Sequence, residues 1–148
     1  MGAAVRERVD RLTGVDLSPA MIAKARERGL YDELETADAT AYLIRSAPGA
    51  LDCILAADAL CYFGDLRPIF VACRRALARN ALFVFSIETF GGEGFRLGAA
   101  TRFAHARAYV ETTAREARFV PLLIRSASIR REAGVEAPGL ICVFEAAG

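Results

Sequence analysis

A chain of 148 residues with 54% hydrophobic residues can bury one domain-sized core, which excludes a disordered polypeptide. Its net charge of +1 argues against gripping a nucleic-acid backbone by bulk charge. No apolar run reaches the ~18–20 residues of a membrane span, and Arg6, Glu7, Arg8 and Asp10 interrupt any signal-peptide pattern, so a cytoplasmic protein is expected.

The first segment, 3–10, reads as the end of an amphipathic helix carrying Val5 and Val9. A short strand over 11–16 ends on Asp16. Ser18 then offers an N-cap and Pro19 suits the first helical position. Met21, Ile22 and Ala25 form one helix face, and Gly29 supplies the stop. A second strand over 33–38 ends at Asp38, a short helix covers 40–46, and Pro48-Gly49 breaks it.

Residues 51–57 are almost continuously apolar, which suits a parallel strand covered on both faces. Asp65 can cap the next helix, where Leu66, Ile69, Phe70, Cys73 and Leu77 recur at spacings of three and four. Asn80 is a candidate left-handed stop, and 81–87 is a second buried strand.

Gly91, Gly92, Gly94 and Gly98 mark a loop, which resembles a phosphate loop but lacks the following Lys-Ser/Thr. A surface helix over 105–117 spaces Glu111 and Arg115 for an ion pair. Segments 119–130 and 139–146 read as a terminal antiparallel pair, with Gly134 and Pro138-Gly139 between them and Arg130-Arg131-Glu132 as a solvated hairpin end. This alternation predicts one α/β domain: a doubly wound, mostly parallel sheet closed by a C-terminal hairpin.

The four cysteines form no C-x-x-C pair and are expected reduced and buried; with His105 the single histidine, no metal site is expected. Asp16 carries more information than any other residue. A strand that ends on a carboxylate and runs straight into a capped helix is how an open α/β sheet meets the two hydroxyls of a nucleotide ribose.

Three stretches then carry a resemblance: Gly14-Val15-Asp16-Leu17-Ser18-Pro19-Ala20-Met21, Ala37-Asp38-Ala39, and Ala56 through Leu66. Together they resemble the Rossmann-like S-adenosylmethionine-dependent methyltransferases, and among these the small methyltransferase type 11 domains. Arg102 through Val110 and Arg130-Arg131-Glu132 strengthen the match. The resemblance implies that Asp16 holds the ribose hydroxyls, Leu17 packs on the adenine, and Asp38 with the Ala39 backbone meets the adenine edge. It also places Ala57 and Asp58 at the methionine end. Tyr62 and Phe63 are expected either to wall the methyl-transfer pocket or to pack under the next helix. Glu88, Arg102 and Tyr109 are candidates to face the acceptor. His105 is either a base for the acceptor, its ordinary pKa lying near ~6.5, or a structural hydrogen-bonding residue.

The family's first strand and its G-x-G-x-G turn have no counterpart before Asp16. The expectation is therefore a domain lacking its N-terminal strand, whose sheet is completed by an upstream segment or by dimerisation. The acceptor is expected to be a small molecule, with no nucleic-acid or membrane partner. Two other readings stay open: a non-catalytic pseudo-methyltransferase that serves as a binding or dimerisation module, and a nicotinamide dinucleotide domain, which shares the ribose acid.

Overall fold

The computed structural model describes residues 2–98, 101–132 and 135–148, and the chain forms two compact units, Met1–Ser46 and Ala47–Gly148.

The smaller unit opens with a single helical turn, α1 (Gly2–Val5), and a 3₁₀ turn over Arg6–Arg8. The expected helix is thus cut short. Arg6 turns back instead, bonding the Val9 and Asp10 carbonyls and the Asp32 carboxylate. Strand β1 (Thr13–Asp16) pairs in parallel with β2 (Glu33–Thr36), setting Asp16 opposite Thr36. Between them runs α2 (Pro19–Glu27), capped by the Ser18 hydroxyl, which accepts from the Met21 N–H. Gly29, at φ +61°, closes it in the left-handed region. Then α3 (Ala39–Arg45) follows β2 at once, because Asp38 is not a strand residue but its N-cap. Gly2, Ile22 and Leu43 are the buried residues of these helices. Among the described residues β1 is bonded along one side only.

The larger unit holds a four-stranded sheet in the order β3-β4-β8-β7, from β3 (Leu51–Ala56), β4 (Leu77–Glu88), β7 (Phe119–Glu132) and β8 (Val135–Ala146). The first pair is parallel and the other two antiparallel, so the sheet is mixed and ends in the expected C-terminal hairpin. Pro138 and Gly139 lie inside β8, paired with Ser128 and Ala127, and not in a turn; Gly134 lies outside the described residues.

The core is one face of this sheet under α4 (Arg67–Ala76). Period-2 alternation buries Phe83, Phe85 and Ile87 on β4, opposite Phe144, Cys142 and Leu140 on β8. Phe70 drops from α4 onto Phe83 and Phe85 with ring centroids 5.3 and 5.6 Å away, edge-on. Phe119 and Phe144 complete the cluster. The helical spacing read from Leu66 to Cys73 is thus the core-facing stripe, although Leu77 already begins β4. Asn80 does adopt φ +61°, but inside β4, where the pairing with β3 shifts register.

Four other expectations are corrected. Strand β3 is not covered on both faces: Asp52 and Cys53 are exposed and Ile54 to Ala56 half-buried, because β3 ends its sheet. Cys61, Cys73 and Cys142 are buried free thiols, while Cys53 is exposed. The glycine-rich loop contains a small hairpin, β5 (Phe95–Leu97) with β6 (Phe103–His105), so His105 ends a strand and α5 (Arg107–Glu116) begins after it. On α5, Glu111 pairs with Arg107 at 2.7 Å and not with Arg115. No helix is long and apolar enough to cross a membrane among the described residues.

Candidate functional site

Parallel strands bring their carboxyl ends to one rim, and each unit carries polar residues there. In the smaller unit the rim holds Asp16 and Asp38. Asp16 is exposed; its Oδ1 accepts the Ser18 N–H at 2.8 Å, and its Oδ2 takes no hydrogen bond among the described residues. Leu17 beside it is 72% exposed, a large apolar side chain held in the open. Asp38 caps α3, accepting the Ala41 N–H at 2.8 Å through Oδ1, with Ala39 exposed as the first helical residue. The Ala37 N–H bonds the Asp16 carbonyl, which ties the two strand ends together. A pocket of roughly 140 Å³ is lined by Asp16 together with Gly14, Met21, Ile22, Tyr31 and Leu34.

In the larger unit the rim is built around Arg102. Its side chain is only 7% exposed, yet each of its three nitrogens makes a hydrogen bond. Nε donates to Glu88 Oε1 at 2.6 Å, Nη1 to the Tyr62 hydroxyl at 3.1 Å, and Nη2 to Asp58 Oδ1. Burial works against this charge, but the carboxylates of Glu88 and Asp58 outweigh it and hold the guanidinium above its ordinary pKa. Arg130 reaches Glu88 as well, at 3.1 Å, and is a quarter exposed. Reading Arg130 as a solvated hairpin residue is therefore wrong. It rides on β7 past a register shift and ends on the same rim as Glu88, and nothing in its local sequence marks so distant a partner.

Asp58, just after β3, adopts φ +56°, in the left-handed region that an aspartate tolerates better than most residues. Its N–H donates to Ser86 Oγ at 3.1 Å. Ala57 and Tyr62 are exposed and Phe63 half-buried.

His105 and Tyr109 belong to a neighbouring cluster. His105 is fully buried and stacks on Tyr109 at 5.9 Å, with Phe95 also at 6.0 Å. Because a carbonyl only accepts, the 2.9 Å contact with the Gly64 oxygen makes Nε2 the protonated nitrogen. Burial lowers its pKa. Tyr109 donates to Asp65 Oδ1 and accepts the Leu66 N–H, both at 3.0 Å, locking the entry to α4. Asp65 itself is held below the ordinary carboxylate range, chiefly by the Arg67 side chain. Burial pushes the Cys61 thiol up to about 11 and those of Cys73 and Cys142 to about 12, so these thiols stay protonated at neutral pH. A groove of roughly 660 Å³ lies at the opposite ends of the strands, beside Gly49, Leu77 and Arg118.

Residues 2–85 match the family model described as a methyltransferase domain. The chain belongs to this methyltransferase family. No curated protein matches its sequence. Among solved structures, an S-adenosylmethionine-dependent methyltransferase from Methanosarcina mazei superposes with a TM-score of 0.78 at 13% identity, over 99% of this chain and 87% of that one. One from Mesorhizobium loti gives 0.70 at 18% identity, over 93% and 81%. The 1,6-didemethyltoxoflavin-N1-methyltransferase of Burkholderia thailandensis, with S-adenosylhomocysteine bound, gives 0.75 at 15% identity, over 99% of this chain and 65% of that one. At these identities the likeness is one of fold.

The methyltransferase domain thus carries its sequence-predicted residues in three groups. Asp16, Leu17, Asp38 and Ala39 stand on the rim of the smaller unit. Asp58, Tyr62, Glu88 and Arg102 are joined by hydrogen bonds in the larger one. His105 and Tyr109 stack beside the β5–β6 hairpin. The residues of the first group could hold a nucleoside: a carboxylate oxygen unbonded among the described residues could meet a vicinal diol, and the exposed leucine beside it a flat base.

Proposed function

We propose that this domain binds S-adenosylmethionine and transfers its methyl group to a small-molecule acceptor. The observation that carries the reading is Asp16, a strand-end carboxylate oriented by the Ser18 N–H with its second oxygen free, beside an exposed Leu17. In this reading Asp16 accepts from both ribose hydroxyls, Leu17 covers the adenine, and the Asp38 side chain with the Ala39 backbone meets the adenine edge. Ala57 faces the methionine end, and Asp58 is left to the acceptor side.

When bound, the cofactor supplies a methyl carbon already activated by a sulfonium, so the protein need not provide a nucleophile. Its own residues must orient the acceptor and exclude water. The rim around Arg102 suits that task, since Asp58, Tyr62 and Glu88 are fixed by one buried guanidinium. His105 is assigned a positioning role, because Nε2 donates to Gly64 and the acceptor nitrogen, Nδ1, is buried with the rest of the ring.

The half-exposed β3 at the end of its sheet and the one-sided β1 further support pairing of each with another strand. Equilibrium dialysis with labelled S-adenosylmethionine tests the reading. S-adenosylhomocysteine is expected to displace the label and NADH to leave it bound. Displacement by NADH alone would make this a dinucleotide domain, and a folded chain that retains no label in any oligomeric state would make it a binding module.

A further inference from the structure

The cluster around Arg102 is costly to build. A guanidinium is almost wholly withdrawn from water, and Asp58 is held in a sparsely populated backbone region. Such outliers persist where the surrounding structure over-determines them, and they point to pre-organisation. The question is what the arrangement offers to a ligand. Arg102 itself is out of reach. Glu88 is enclosed too, at 15% exposure, and is met by Arg102 and Arg130. The two groups left in the open are the Asp58 side chain, 61% exposed, and Tyr62, 64% exposed.

Both are fixed by the same guanidinium. Asp58 gives Oδ1 to Arg102, and its Oδ2 takes no hydrogen bond among the described residues. Tyr62 accepts from Nη1 and has the guanidinium carbon 5.2 Å from its ring centroid. One face of the ring is thereby taken, and the exposure lies on the rest. An oriented carboxylate beside an open aromatic ring is the pairing that captures an organic ammonium, through charge and through the ring quadrupole.

We infer that Asp58 and Tyr62 form a recognition site for a cationic nitrogen on the methyl acceptor, which makes organic amines the acceptor class. The word acceptor rests on the methyl-transfer reading; the affinity for an ammonium does not. Arg102 is the positioning residue, since it sets the direction of the Asp58 carboxylate and seats the Tyr62 ring. Every part comes from the larger unit: the ends of β3 and β4, the turn carrying Tyr62, and the residue preceding β6.

Ligand-observed NMR titration of the full chain tests this with phenethylamine, an ammonium at neutral pH, against phenethyl alcohol, its neutral counterpart. The amine is expected to bind about tenfold tighter. Asp58→Asn keeps the shape and tolerates the left-handed backbone, so it should fold and bring the amine down to the alcohol's affinity. Tyr62→Leu should cost a few-fold, and Arg102→Lys should weaken the preference while keeping the charge.

Equal affinity for both probes, or a preference that survives Asp58→Asn, overturns the inference. The methionine end of the cofactor also carries an ammonium, so S-adenosylhomocysteine is titrated into the same variant. Affinity unchanged within about threefold supports the acceptor assignment. A larger loss hands the carboxylate to the cofactor and overturns it. A wild-type chain that prefers the amine yet binds no S-adenosylhomocysteine keeps the cation site and rejects the methyl-transfer reading.

Discussion

The two units differ in what their residues are used for. In Ala47–Gly148 an aromatic cluster of Phe70, Phe83, Phe85, Phe119 and Phe144 is buried beneath a helix, and the polar rim is cross-linked by a buried arginine. In Met1–Ser46 the helices bury Gly2, Ile22 and Leu43, while Leu17, Met21 and Ile44 are all more than half exposed. The larger unit therefore has its own core. The smaller one holds the exposed Asp16 carboxylate on two short parallel strands, and apolar surface there remains in water. In the larger unit residues are chosen for packing; in the smaller one several are chosen for what they present.

Four substitutions or conditions test this contrast, in decreasing order of effect. Phe70→Ala should destabilise the larger unit by about 3–5 kcal/mol, read by chemical denaturation, since the ring touches four others and leaves a cavity. A loss below about 1 kcal/mol would mean that the cluster is not the core. Gly64→Ala should cost on the order of 1–3 kcal/mol. Its new Cβ would sit 2.9 Å from the Phe95 ring and 3.0 Å from that of Phe103, so near-UV circular dichroism of the aromatic cluster should change with it.

Acidification is the third. Burial depresses the His105 pKa below its ordinary 6.5, so the unfolded chain binds the proton more readily. The contribution is fully present above pH ~6.5 and is lost as pH falls toward the lowered folded value. Melting temperature should therefore drop below pH ~6.5, with a slope that His105→Gln removes. The Asp65 contribution also fades with acid, but only below its ordinary value of 3.8, so the two windows separate. Smallest is Ser18→Ala. The 3.4 Å cap bond is long, and the loss should be about 0.5–1 kcal/mol, visible as faster amide exchange at the start of α2.

The sequence was legible where a local rule decides the outcome. Ser18 and Pro19 start α2, Gly29 ends it, and Asp16 falls at the strand end because the capping chemistry leaves little choice. The terminal hairpin was readable from periodicity, whereas the apolar run 81–87 hid the alternation of buried and half-buried residues that β4 shows. What escaped depends on distant partners. An apolar run like 51–57 does not reveal whether a second neighbour lies beside it, so Cys53 reads as buried and is exposed. Strands as short as β5 and β6 carry no period of their own, and the glycines around them suggest only a loop. Glu111 has an arginine four residues away on each side, and spacing alone does not choose Arg107 over Arg115. Within the candidate site, Asp58, Glu88 and Arg102 were named separately. Their union through one guanidinium, and the arrival of Arg130, needed the fold.

The central claim is that Asp16 anchors a nucleoside cofactor, and isothermal titration of the folded chain with S-adenosylhomocysteine tests it most directly. The account predicts saturable binding that Asp16→Ala weakens by at least about tenfold while the melt is unchanged. Binding that is indifferent to Asp16, or a folded chain that takes up no heat at all, would contradict it.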